Sequence, residues 1–172
     1  FIPGLVLVVG YTDVFARTGL GETAAGLGLG ALPTLTVFYV QSGSLTREAM
    51  LISVPMFLVY FNALLLNEFP DIEADTKNGR LNIPIAFGRR IAGYLYTLVV
   101  AVTCLSLVAL VVVFDLPAPI LLGLLPIVIV AGLLRNFLAG DPDVTEQDLL
   151  NHTLWTLATP AAISAGFLVH WL

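Results

Sequence analysis

The 172-residue chain is 58% hydrophobic and only 11% charged, with a mean hydropathy of +0.97, whereas a soluble domain carries about 25% charged residues. So few charges cannot cover a soluble globule of this size. The composition points to a polytopic membrane protein and excludes a disordered chain, a secreted disulfide scaffold and a nucleic-acid binder; the net charge is −5, and the one cysteine, Cys104, has no internal partner.

Residues 1–10 are apolar but too short to cross about 30 Å of hydrocarbon, which takes about 20 helical residues. No basic stretch precedes them and no small-residue cleavage site follows, so they do not read as a signal peptide. The chain opens on Phe1 rather than Met, and this stretch is expected to be the tail of a span that starts upstream. Residues 1–172 would then form a single transmembrane domain truncated at its N-terminus. Five full spans are predicted at 23–41, 48–69, 91–113, 117–138 and 150–172. Pro33, Pro55, Pro126 and Pro160 fall inside four of them, which membrane helices tolerate because neighbouring groups satisfy the freed carbonyls. Gly26 and Gly30 form a G-x-x-x-G pair, expected to let two helices pack closely. The predicted fold class is an all-α transmembrane helix bundle.

If the helices alternate in direction, the loops at 11–22, 70–90 and 135–149 share one side. They hold Arg17, Lys77, Arg80, Arg89, Arg90 and Arg135, which leaves Arg47 alone opposite. The positive-inside rule places those three loops in the cytoplasm. Tyr94, Tyr96, Trp155 and Trp171 lie near span ends, where their amphipathic rings favour the membrane interface. Arg89 and Arg90 are expected to anchor a helix start to anionic lipid.

Four of the twelve acidic residues fall within eight positions, Glu68, Asp71, Glu73 and Asp75, where an apolar span meets a loop. Carboxylates at such a place are costly to desolvate, so they are usually paired, hydrated or metal-bound. Asp71 and Asp75 are spaced i, i+4, which on a helical turn brings them to one face. Two hard oxygen ligands so placed suit Mg2+, which takes one or two carboxylates plus phosphate oxygens and water. Lys77 and Arg80 follow with Gly79 between them, and such cations are the usual partners of a diphosphate. A solvated, mixed-charge loop is the competing interpretation. The acidic loop around Asp141, Asp143, Glu146 and Asp148 reads as a solvated face and a helix N-terminal charge bias.

Residues 67–88 (NEFPDIEADTKNGRLNIPIAFG) resemble the second aspartate-rich motif of the UbiA superfamily of intramembrane prenyltransferases, in particular its dihydroxynaphthoate prenyltransferase branch. Tyr11 to Glu22, followed by a Gly-rich helix and Tyr39 to Gly43, resembles a second loop of that branch. The resemblance implies a bundle of nine helices, of which this chain would supply the end of the fourth and all of the fifth to ninth. It implies Mg2+-dependent transfer of a polyprenyl group from its diphosphate to an aromatic acceptor within the membrane. Asp71 and Asp75 would hold metal, with Glu68 as a further ligand. Asn67, Lys77 and Arg80 would bind the diphosphate, and Tyr11 and Arg17 would close the site from the neighbouring loop. The family's first aspartate-rich motif is absent from residues 1–66 and is expected upstream. The N-E-F-P-D run favours a quinone precursor such as dihydroxynaphthoate as acceptor; a tetrapyrrole or a glycerol-phosphate lipid stays open. A secondary-transporter fragment is the alternative from another class, although its ionisable groups would be expected near the midplane.

Overall fold

A computed structural model describes residues 2–11 and 14–172. Phe1, Thr12 and Asp13, which belong to the predicted first span and loop, lie outside the described residues. Every regular element in the described residues is helical. Helix α1 (Ile2–Gly10) and a 3₁₀ turn (Phe15–Arg17) lead into α2 (Gly21–Ala25) and α3 (Leu32–Ser42), which the π-helical stretch Gly26–Ala31 joins into one rod. The long helix α4 (Arg47–Asn67) returns, followed by two short helices, α5 (Ile72–Lys77) and α6 (Ile83–Phe87). The remainder is α7 (Arg89–Val112), a 3₁₀ segment (Ala118–Leu124), α8 (Ile127–Leu138) and α9 (Glu146–Trp171).

Gly21–Ser42, Arg47–Asn67 and Arg89–Val112 are long and apolar enough to cross a membrane. The predicted span at 117–138 is instead a bent pair, with 49° between its two halves. Pro126 caps α8 with no N–H to give, and Pro119 opens the 3₁₀ segment, so the ladder breaks between them. The predicted span at 150–172 is a 26-residue helix, long enough to cross but less apolar than the others. It starts at Glu146 because Thr145 and Asp148 form a capping box, each side chain bonding the other's backbone N–H. The polar stretch at 70–90, predicted only as a segment between spans, is largely helical.

The π stretch has a local cause. Proline at 33 has no N–H and its ring presses on the preceding turn, which strains an ordinary α-helix. The wider turn, in which the Leu32 N–H reaches the Leu27 carbonyl, relieves that turn. Gly26 and Gly30 face α4. A Cβ at Gly26 would sit 2.7 Å from the Phe57 ring, and one at Gly30 would overlap the Met56 carbonyl. The pair is a close-packing seam, as its spacing predicts.

The core has two centres. One gathers Leu65, Leu66, Tyr96, Phe137 and Trp155 from α4, α7, α8 and α9, with Phe69 from the turn after α4. The other gathers Met56, Leu107, Leu110, Ile120 and Ile163. Tyr96 and Trp155 are thus buried rather than interfacial, since their helices begin well before them. The Tyr96 hydroxyl meets His152 Nδ1 at 2.8 Å and Asn62 donates to the Tyr96 carbonyl at 3.0 Å, so the buried polar groups bind one another. Arg89 and Arg90 donate to the carbonyls of Phe69 and Gly140. They therefore staple loops together rather than only anchoring lipid. With the Leu81 N–H bonded to the Ala16 carbonyl at 2.9 Å, the loops around 11–20, 68–88 and 139–145 meet at one end of the bundle.

Candidate active site

Pro70 in N-E-F-P-D cannot extend α4, so the chain turns after Asn67 and restarts as α5 with Asp71 at its N-cap position. Asn67, Glu68 and Asp71 are thereby presented at the end of a span. One turn on, the Asp75 N–H bonds the Asp71 carbonyl at 2.8 Å, so the two aspartates do share a helical turn. Gly79, at φ +69°, adopts the left-handed conformation that ends α5. The reversal brings Arg80 back: its N–H bonds the Asp75 carbonyl at 3.0 Å, and its Nη1 donates to Asp75 Oδ1 at 3.3 Å.

Tyr11, Leu64, Asn67, Glu68, Asp71, Asp75, Arg80 and Asn82 line one cleft of about 80 Å³. Six of the predicted site residues therefore converge: Tyr11, Asn67, Glu68, Asp71, Asp75 and Arg80. Arg17 and Lys77 do not line it. Arg17 is exposed on its 3₁₀ turn, and Lys77, 78% exposed, reaches Glu73 at 3.9 Å on the outer face of α5.

Two functional candidates escaped the sequence reading. Glu22 is 1% exposed, and its Oε1 accepts the Ile83 N–H at 2.7 Å. Asn82 is 3% exposed, and its Nδ2 donates to Asp75 Oδ2 at 3.1 Å. A lone acid at the start of an apolar span was the available signal for Glu22. Nothing local marks Asn82.

The electrostatics follow from burial. Glu68 lies one residue past the end of α4, where desolvation, and next the neighbouring Glu22 carboxyl, push it up to about 10. Its Oε2 is buried without a hydrogen-bond partner among the described residues. Tyr11 is raised above the ordinary phenol value, chiefly by burial and next by Glu68, so its hydroxyl stays protonated. A Cβ at Gly21 would sit 3.8 Å from both the Tyr11 hydroxyl and Glu68 Oε1, in ordinary contact with each, so the start of α2 packs against the two groups. No cluster of three or more His, Cys, Asp or Glu suited to a metal occurs among the described residues. The cleft offers hard oxygens, two aspartates and an asparagine, with the Glu68 carboxyl beside them, which would shed its proton to take up a cation. Such donors fit part of the shell of a hydrated Mg2+.

The cleft does not stand alone. Tyr11, Leu64 and Asn67 also edge an apolar groove of about 1090 Å³ that runs between α1 and the α2–α3 rod along α4, past Leu5, Gly28 and Val37. A small polar cleft thus sits at the mouth of a long apolar groove, within a helical bundle whose spans are apolar enough to cross a membrane. The UbiA prenyltransferase family model matches residues 1–169, and the chain belongs to that family. It is 32% identical over 97 residues to 1,4-dihydroxy-2-naphthoate octaprenyltransferase of Bacillus subtilis (strain 168), a match covering 56% of this chain and 31% of that protein. No solved structure matches the chain at a significant level.

Proposed function

We propose that this protein transfers a polyprenyl group from its diphosphate to an aromatic acceptor of the dihydroxynaphthoate class, in a Mg2+-dependent reaction at the cytoplasmic face of the plasma membrane. The observation that carries this reading is the continuity of the carboxylate-lined cleft with the apolar groove through Tyr11, Leu64 and Asn67. A prenyl diphosphate has the matching form, a highly charged head on a long apolar tail. The tail would lie in the groove beside lipid, and the head in the cleft. The relative's name supports the acceptor class. Family membership sets aside the transporter reading.

In this reading Asp71 and Asp75 hold the metal, with Glu68 and Asn67 beside them. Bound Mg2+ supplies Lewis-acid neutralisation of the diphosphate as the allylic C–O bond breaks. Arg80 contacts the diphosphate oxygens from the side of Asp75, where its guanidinium already lies. Tyr11, held as a phenol, closes the cleft toward the groove and can donate a hydrogen bond to the departing group. The surrounding apolar side chains exclude water, so the allylic cation meets the electron-rich acceptor ring before it meets water.

The test is a transfer assay in membranes containing the native protein, with a labelled polyprenyl diphosphate and 1,4-dihydroxy-2-naphthoate. Lipid-extractable prenylated product is expected with Mg2+ and not with excess chelator. Equal product under both conditions would overturn the metal part, and no product with any aromatic acceptor would overturn the transfer.

A further inference from the structure

We propose that Glu22 and Asn82 are positioning residues that together fix Asp75, by clamping the segment 81–85 to the α2 end of the bundle. This rests on the reading of Asp75 as a metal-holding group. Asp75 is 9% exposed, and each of its oxygens is engaged, Oδ1 by Arg80 at 3.3 Å and Oδ2 by Asn82 at 3.1 Å. Arg80 can leave for an anion. Asn82 cannot, because its other end is committed.

That commitment follows from α6. Asn82 is its N-cap, in extended conformation, and its Oδ1 accepts the Ile85 N–H at 2.9 Å. With the carbonyl of the amide facing that donor, the NH₂ is left to face Asp75. Pro84 has no N–H, so α6 presents two early backbone donors, on Ile83 and Ile85. The first goes to Glu22 Oε1 at 2.7 Å, across 61 residues of sequence. One residue before the cap, the Leu81 N–H bonds the Ala16 carbonyl at 2.9 Å. Three successive alternate residues, 81, 83 and 85, are thus tied, and the first two ties lead to the segment that starts the α2–α3 rod.

Glu22 makes a costly anchor. It takes a carboxyl almost wholly out of water to hold one backbone N–H, and burying a carboxyl is costly. Such a group persists where what it holds matters. Here it holds the backbone beside Asn82, whose amide fixes Asp75 in the cleft that Asp71 also lines. Partners of this kind, one step behind a metal ligand, typically change metal affinity by about 10- to 100-fold when removed.

The experiment is calorimetric titration of the detergent-solubilised native protein with Mg2+ at fixed inorganic pyrophosphate, corrected for the heat of Mg2+ binding pyrophosphate alone. Asn82→Ser keeps a good cap for α6 but is too short to reach Asp75. It is expected to weaken Mg2+ binding by about 10-fold or more. Glu22→Ala should do the same, while Glu22→Gln, which keeps a carbonyl acceptor for the Ile83 N–H, should bind close to the unaltered protein. Unchanged binding by Asn82→Ser overturns the proposal even if Glu22→Ala fails to fold. Binding by Glu22→Gln as weak as by Glu22→Ala overturns the anchoring role of Glu22, since charge rather than the tie would then be what counts. Asp75→Asn separates the two levels. If it binds like the unaltered protein, the metal reading of Asp75 fails; if it loses binding while Asn82→Ser does not, the positioning role alone fails.

Discussion

Asp71 and Asp75 should both be needed for transfer, yet respond differently to replacement by Asn. The Asp71 side chain is exposed and makes no hydrogen bond among the described residues, so Asp71→Asn removes a charge and leaves the fold alone. Its effect on melting should stay within about 0.5 kcal/mol, the usual range of surface substitutions. Asp75 is buried and accepts from Arg80 and Asn82. An Asn in its place can still accept from one of them but turns an NH₂ toward the other. Hydrogen bonds to charged groups contribute about 1.5–3 kcal/mol, and the lower figure applies here because the Arg80 side chain is 44% exposed. For a chain of this size that corresponds to a fall of about 3–6 °C in Tm. Both variants should lose at least about 10²-fold in Mg2+-dependent transfer, the scale of groups that stabilise charge in a transition state. Asp143→Asn, on an exposed loop at the same end of the bundle, is the control and should keep both activity and Tm. The assay pairs labelled transfer at saturating Mg2+ with thermal unfolding in detergent. Should Asp71→Asn transfer as well as Asp143→Asn, the cluster is a solvated loop and the metal reading is wrong. Should Asp75→Asn melt with the unaltered protein, the Arg80–Asp75–Asn82 contacts carry no net stability.

Arg80→Gln should raise the KM for the prenyl diphosphate at least as clearly as it lowers kcat, while Lys77→Gln, outside the cleft, should leave both near normal; equal effects would place the diphosphate on the outer face of α5. Cysteine labelling in intact cells should find Lys77 and Asp143 cytoplasmic and Ser44 and Leu172 outside; the reverse would defeat access of a cytoplasmic diphosphate. Gly30→Val would drive a side chain into the Met56 carbonyl and should cost several kcal/mol of stability, whereas Gly28→Ala, whose Cβ lies 3.6 Å from Leu7, should unfold like the unaltered protein. A chain confined to residues 1–172, with one aspartate-rich motif, should show no prenyl transfer; turnover by it would refute a site divided between two motifs.

Helices were legible because membrane spans announce themselves by length and apolarity, and α4 and α7 fall within a few residues of their predicted limits. Hydropathy does not register direction, so the 49° break beside Pro126 was invisible to it. The cleft was legible where residues crowd in sequence, as at 67–75. Crowding also misled. Lys77 follows Asp75 by two positions, which on a helix points it away, while Gly79 lets the more distant Arg80 return. Glu22 and Asn82 were not legible, because what each does depends on a partner brought in by folding: across 61 positions for Glu22 and across the Gly79 reversal for Asn82.

The π turn at Gly26–Ala31 also sets a count. It holds one residue more than the α-helix around it, and each residue advances a helix by about 100°. The side chains that the rod shows to the groove beyond that turn, Leu32, Pro33, Thr36 and Val37, therefore keep their heading because the wide turn absorbs the extra residue. Deleting Gly28 would turn the Leu32–Leu27 bond into an ordinary i→i−4 bond and leave that wall facing the groove, whereas winding the full sequence as a regular α-helix would rotate the wall by about 100°. Phase, as much as side-chain chemistry, is what the Gly-rich run encodes.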